Sequence, residues 1–226
     1  MTGTPEPDNG APQEGWLAPE VARELPSLRL LWSELGVGRE SPLTGDSPAD
    51  IQARLRELSS RVRGARAVAI RREPIPAAYR VFYRQIGLDP DVERTPIEQA
   101  ILERMLRGGF LSGGLIADVL LISMIDTGVP VWALDSGEVQ GPLGIRASVE
   151  GEPLGRSRGA SPLPPGQLVI ADSAAALAVL FQPVPDGPAP DASTRRVSLY
   201  AAQVAGVPSL YVEEALWAAR AALRAP

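Results

Sequence analysis

Apolar positions along the first half of the chain recur at helical spacing. Ile51, Leu55, Leu58 and Val62 fall three or four residues apart and predict a helix from about Pro48 to Val62, with Asp46 or Ser47 as its cap. A second helix is predicted from Pro76 to Ile86, stopped by Gly87 with Pro90 three residues on. The next has the strongest start signal in the chain: Thr95 as cap, Pro96 in the first turn, and Glu98 three residues after the threonine. Its apolar residues Ile97, Ile101, Leu102, Met105 and Leu106 are expected to form the buried side, ending at Gly108-Gly109. A fourth helix, about Leu115 to Asp126, is apolar nearly all round and is expected to be buried, with Gly128 as its stop.

After Gly128 the pattern changes. VPVWALD (129–135), PLGIRAS (142–148), QLVIAD (167–172), ALAVLF (176–181) and RRVSLYAA (195–202) are short apolar runs between Gly, Pro and Asp turns, and they predict strands. LRLLWSEL (28–35), which follows Pro26, is expected to be a further strand. Pro153–Gly166 and Pro183–Ala192 read as loops, and an amphipathic helix from about Ser209 to Leu223 closes the pattern. Residues 1–15 are polar and rich in Pro, Gly and Thr, and read as a disordered tail ahead of one domain over 16–226. The predicted class is α+β, with a helical N-terminal half packed on a mostly antiparallel sheet or sandwich.

Composition narrows the chemistry. The 226 residues contain no Cys, no His and no Lys, so all 22 basic side chains are Arg. That excludes disulfides, thiolate nucleophiles, Cys/His zinc sites, histidine general bases and Schiff-base lysines. No phosphate-loop, dinucleotide-binding or G-x-S-x-G motif is present, and neither metal nor cofactor is expected. No apolar run is long enough for a membrane span, and the expected location is the cytoplasm. Net charge is −5, but it is unevenly spread: Arg54 to Arg107 hold 12 arginines against 7 acidic residues, while both flanks are acidic. Such a basic middle attracts phosphate when its arginines are free, and is a solvated helix face when they are paired with nearby Glu.

Several polar residues stand where packing does not ask for them. Arg80 and Arg84 lie four apart on one helix face. Arg94 precedes a helix cap, and Arg104 lies near the end of the same helix. Asp118 sits inside the apolar run LIADVLLISMI, where a buried carboxylate needs a partner, and an arginine from the preceding helices is the expected one. Asp172 ends a strand-like run, Thr194 opens another, and Glu152 follows Gly151 in a hairpin-like turn.

The segment YRVFYRQIGLDPDVERTPIEQAILERMLRGG, followed by LIADVLLISMIDTGVPVWALD and IRASVEGE, resembles the B3/B4 domain of the phenylalanyl-tRNA synthetase beta chain. It is more similar still to free-standing bacterial proteins built from that domain alone. The resemblance spans about Leu55 to Leu223 and is strongest over 79–152. It implies an α+β unit containing a β-sandwich, tRNA or aminoacyl-tRNA as partner, and a site that, in the synthetase, hydrolyses tyrosine wrongly esterified to the phenylalanine tRNA. On that basis Arg80, Arg84, Arg94 and Arg104 are expected to contact phosphate or carboxylate. Asp118 and Glu152 are the candidate catalytic residues, and Asp172 and Thr194 are expected to help bind the ligand. The chain departs from the family at three places: the histidine of the editing pocket is missing, Leu121 stands where relatives often carry Asn, and apolar ALAVLF stands where they often carry a Trp/Arg-rich strand. These features imply a tRNA-binding domain that edits mischarged aminoacyl-tRNA in trans. The alternative is a non-catalytic module for RNA or an amino-acid-like small ligand. The sequence does not set the oligomeric state.

Overall fold

The computed structural model describes residues 11–37, 43–156 and 162–224. Among these residues, two four-stranded sheets and seven α-helices make up an α+β fold, as the pattern predicts. The first sheet has the order β1 (Gln13–Glu14), β3 (Arg29–Gly36), β8 (Arg196–Gln203), β4 (Trp132–Asp135), all antiparallel. The second has the order β2 (Trp16–Leu17), β5 (Gly144–Ala147), β6 (Leu168–Ala171), β7 (Ala176–Val179) and is antiparallel except for the parallel β2–β5 pair.

All six predicted strands form: β3 and β8 keep their predicted length with a shift of one residue, and β4, β5, β6 and β7 are shorter than predicted. What the pattern does not show is the segment before them. Residues 1–10 of the expected tail lie outside the described residues, but Gln13–Glu14 already pair with β3 and Trp16–Leu17 with β5. Gly144 makes the second pairing possible, because a Cβ there would lie 2.1 Å from the Trp16 ring. The Trp16 indole N–H donates to the Pro142 carbonyl at 3.0 Å and fixes the same contact.

The helices are α1 (Pro19–Glu24), α2 (Ala49–Arg61), α3 (Ala65–Ala69), α4 (Pro74–Gln85), α5 (Pro96–Arg107), α6 (Leu115–Thr127) and α7 (Ser209–Arg224). The short α1 and α3 carry no apolar stripe long enough to predict. The α5 start carries its capping box, with the Thr95 N–H donating to the Glu98 carboxylate at 3.2 Å, and the Thr95 hydroxyl adds a further donation to that carboxylate at 2.8 Å. The predicted cap of α2 differs. Pro48 occupies the cap position, and the Ser47 hydroxyl is drawn instead to Asp118. The buried side of α5 is also narrower than its sequence implies. Ile97 and Ile101 are buried, whereas Met105 and Leu106 are 49% and 77% exposed. Leu106 lies roughly 140° round the helix from Ile101, so one packed face cannot include both.

The main core joins the sheets to α4, α6 and α7 through residues such as Leu30, Tyr79, Val119, Leu134, Ile145, Ile170, Leu199 and Leu216. A second cluster, Leu58, Val62, Ala67, Ile70, Ile97, Ile101 and Ile125, packs α2, α3, α5 and α6 together. A third covers the other face of the second sheet with Leu163, Val169, Ala171, Ala176 and Val179. The predicted loop from Pro153 to Gly166 takes part in this: Pro153 bridges Pro162, Leu154 bridges Ala176, and Leu163 is buried. Residues 157–161 of that loop lie outside the described residues.

Candidate functional site

Most of the polar residues singled out by sequence are bonded within the fold. Asp118 is 1% exposed, in the first turn of α6. Among the described residues no arginine bonds to it, whereas an arginine partner was expected. It accepts from the Ser47 hydroxyl at 2.6 Å, the Ser112 hydroxyl at 2.5 Å and the Gly113 N–H at 2.8 Å. Three neutral donors satisfy this carboxylate, and together they tie two loops to the start of α6. Arg80 clamps the α4–α5 connection: its guanidinium pairs with Glu98 at 2.5 Å and Asp91 at 2.6 Å, and both Arg80 and Glu98 side chains are nearly buried. That pairing holds the Asp91 carboxyl below its ordinary range. Arg104 donates to the Ser59 carbonyl at 2.6 Å and closes the end of α5 against α2.

At the strand ends the pattern repeats. Glu152 meets Arg146 through both guanidinium nitrogens, one at 2.8 Å, and accepts from the Val149 N–H. This pairing lowers its pKa, chiefly through the hydrogen bond to Arg146. The Asp172 side chain is fully buried. Burial opposes its ionisation, but the Arg156 guanidinium and the N–H groups of Gln140, Ala174 and Ala175 outweigh that, so its pKa is also lowered. The Thr194 hydroxyl donates to Asp135 at 2.5 Å and accepts from the Asp191 N–H at 3.0 Å.

Two candidate arginines are left facing solvent. Arg84 is exposed and lies within electrostatic reach of Asp91. Arg94 is exposed and forms the ridge between two cavities, one of about 510 Å³ and a shallower one of about 260 Å³. Arg94, Arg104 and Asp118 therefore form no common cluster; each belongs to a different neighbourhood.

The larger cavity is a groove between α5 and α6. Each helix offers it one stripe at helical spacing: Pro96, Gln99, Ala100 and Glu103 from α5, and Ala117, Leu120, Leu121 and Met124 from α6. Tyr83, Val131, Trp132, Leu180 and Phe181 supply much of the remaining wall, with Glu93, Arg94 and Gln182 among the polar lining. The cavity explains why α6 is apolar all round. One side packs into the core, and the other lines the groove, where Leu120, Leu121 and Met124 are only half-buried. Only Arg94 of the eight candidate site residues borders this groove. The apolar ones were missed because they look like core, and the all-round apolar helix was their one signal. The two apolar departures from the family, Leu121 and the ALAVLF segment with Leu180 and Phe181, meet in this groove.

Phe181 has a φ of +63°, a backbone conformation that costs a non-glycine residue about 1 kcal/mol or more. Its ring stacks on Tyr83 at 5.7 Å and meets Tyr79 and Phe82 edge-on at 5.5 and 5.7 Å. The packing of three rings holds the strained residue in place. Burial pushes the Tyr83 phenol up, reinforced by the charges of Glu93 and Glu98. The Trp132 indole nitrogen is buried and has no hydrogen-bond partner. Among the described residues no three Asp, Glu, His or Cys side chains converge as metal ligands.

The fold and groove thus describe a two-sheet α+β protein with a ligand-sized, mostly apolar cleft that is charged along one edge. Over 68 residues the chain is 38% identical to the phenylalanine–tRNA ligase beta subunit of Xanthomonas euvesicatoria pv. vesicatoria (strain 85-10). It is 37% identical, over the same length, to the beta subunits of two Xanthomonas oryzae pv. oryzae strains, MAFF 311018 and KACC10331 / KXO85. Each match covers 30% of this chain and 8% of the relative, so the similarity concerns a small part of a much longer protein. No family model matches the chain. No helix among the described residues is long and apolar enough to cross a membrane.

Proposed function

We propose that this chain is a B3/B4-like, tRNA-related module that holds the aminoacyl end of its partner, or an amino-acid-like group, in the α5–α6 groove without hydrolysing it. The observation that carries this reading is the separation of the two polar systems. The groove is apolar along α6 and edged by Arg94, Glu93 and Glu103, which suits an apolar side chain joined to a charged group. Asp118 and Glu152, proposed from sequence as catalytic, are bonded elsewhere and do not border it. The partial similarity to beta subunits of phenylalanine–tRNA ligase supports the tRNA link.

The rival reading, hydrolysis of mischarged aminoacyl-tRNA in trans, draws on the same similarity. It would need a water positioned in the groove by backbone donors or by the terminal ribose of the tRNA. A deacylation assay on a panel of mischarged tRNAs, run beside filter binding of charged and uncharged tRNA, decides between them. Binding that prefers charged tRNA and falls steeply with salt, without turnover, is the expected result. Turnover on any member of the panel would establish the editing reading instead. Binding of neither form would remove tRNA as the partner.

A further inference from the structure

The shallower hollow, across Arg94 from the groove, carries more cations than its carboxylates can take up. Its walls come from α3, the 3₁₀ turn Ile70–Arg72, α4, the α4–α5 connection and α5. Arg71, Arg80 and Arg94 line it, against the carboxylates of Asp91 and Glu98. One guanidinium already holds both carboxylates, since Arg80 meets Glu98 through one nitrogen and Asp91 through the other. Arg71 and Arg94 are exposed, and among the described residues neither has a hydrogen bond or a salt bridge. The Asp91 pKa is lowered chiefly by the hydrogen bond from Arg80, and the charges of Arg71 and Arg84 add to this, so both lie within electrostatic reach of the hollow. Positive charge is therefore in excess here. Beside the two free guanidinium groups the wall is aliphatic, with Leu102, Val68 and Met105, the last two exposed.

We propose that this hollow is a binding site for a nucleoside phosphomonoester, with the phosphate held by Arg71 and Arg94 and the base lying against Met105 and Val68. The two arginines select the monoester. Each guanidinium presents a planar fork of donors. Two forks can share three terminal oxygens, and a phosphomonoester offers three, with a charge of about −1.5 to −2 at pH 7. A phosphodiester offers two terminal oxygens and a single charge, enough for one fork. The aliphatic wall selects the body: the flat face of a base covers Val68 and Met105, and methionine sulfur makes favourable contacts with aromatic rings. The hollow, at about 260 Å³, is smaller than the roughly 300–1,000 Å³ of pockets that enclose a ligand, so part of the nucleoside stays in solvent. The proposal does not depend on what the α5–α6 groove holds, because Arg71 lines the hollow and not the groove.

The test follows binding of the adenosine, guanosine, cytidine and uridine 5′-monophosphates to the full chain by calorimetry at low salt, beside the four nucleosides and the methyl diesters of the four monophosphates. At least one monophosphate is expected to bind about tenfold tighter than its nucleoside, and tighter than its diester. Arg71→Ala and Arg94→Ala are each expected to weaken that monophosphate about tenfold while moving the ligand-free Tm by no more than about 2 °C, since both side chains are exposed. Met105→Ser is expected to weaken the monophosphate about threefold and inorganic phosphate not at all; no loss for the monophosphate overturns the placement of the base. Four monophosphates that bind no tighter than their nucleosides overturn the site, and so does a diester that binds as well as the monoester. Loss on Arg94→Ala without loss on Arg71→Ala moves the nucleotide into the groove and also overturns it. A short oligoribonucleotide with a 5′-phosphate, compared with the same strand ending in a 5′-hydroxyl, separates two sources of the group. Preference for the phosphorylated strand assigns the site to an RNA end, and no preference beside tight monophosphate binding assigns it to a free nucleotide; the site stands in both cases. The comparison of monophosphate with nucleoside needs no variant, so it holds even where a substitution disturbs folding.

Discussion

The strand-end cluster around Asp172 and Glu152 and the groove between α5 and α6 are opposites. In the first, charged side chains are buried and each is met by an arginine and backbone N–H groups. In the second, the walls are apolar, one arginine is exposed, and an indole N–H is unmet. The first region is rich in the residues that usually mark a site, but its hydrogen bonds are complete and leave little for a ligand. The second has few such residues and leaves both space and bonding capacity open. A polar residue signals binding where its bonds are incomplete, and a count of polar residues is a poor substitute for that.

The contrast can be broken by substitution, and the largest effect belongs to Asp172. Asp172→Ala strands Arg156 and three N–H groups, and is expected to cost about 3 kcal/mol. In a chain of this size that is a fall in Tm on the order of 10 °C by calorimetry. A fall of only a degree or two would mean that the cluster is not the scaffold described here. Asp118→Ala comes next, at about 2 kcal/mol, because it leaves two hydroxyls and the Gly113 N–H without their acceptor. Ligand affinity in the groove is expected to stay within twofold for that variant, and a larger loss would tie Asp118 to the site after all.

Acid provides a graded version of the same test. Glu152 and Asp172 both have pKa values lowered by folding. Their contribution to stability is therefore whole above the ordinary carboxylate range and is lost as pH falls through their folded values. The double variant Glu152→Gln with Asp172→Asn should start less stable at pH 7 and show a shallower fall of Tm between about pH 5 and pH 2. An acid slope equal to that of the unaltered protein would move the acid sensitivity elsewhere. The smallest effect on stability is that of Arg94→Ala, expected within about 0.5 kcal/mol because the side chain is exposed. Its effect should appear instead as weaker, less salt-dependent binding of charged tRNA in a titration. An unchanged salt slope would remove Arg94 from the interface.

Sequence reading reached the two regions unequally, for physical reasons. The α5 start was legible because a capping box is local: Thr95, Pro96 and Glu98 lie within four residues. The six longer strands were legible because turn residues bracket them. β1 and β2 were not, since a two-residue strand is defined by its partner rather than by its own pattern. For Asp118, sequence correctly required partners but expected an arginine, because the donors that satisfy it come from loops up to 71 residues away. Leu121 and Phe181 could not be recognised as groove residues, because an apolar side chain on a pocket wall and one in a core obey the same periodicity.

The short stretch from Gln13 to Leu17 has a consequence for self-association. Its two halves cover one outer edge of each sheet, β1 along β3 and β2 along β5. Remove it, and β3 and β5 each present unpaired N–H and C=O groups to other molecules. Five residues thereby blunt one edge of each sheet, at Leu31–Trp32 of β3 and Gly144–Ile145 of β5, the other edges being β4 and β7. A version of the protein beginning after Leu17 would be expected to show its defect first as aggregation, before any loss at the groove.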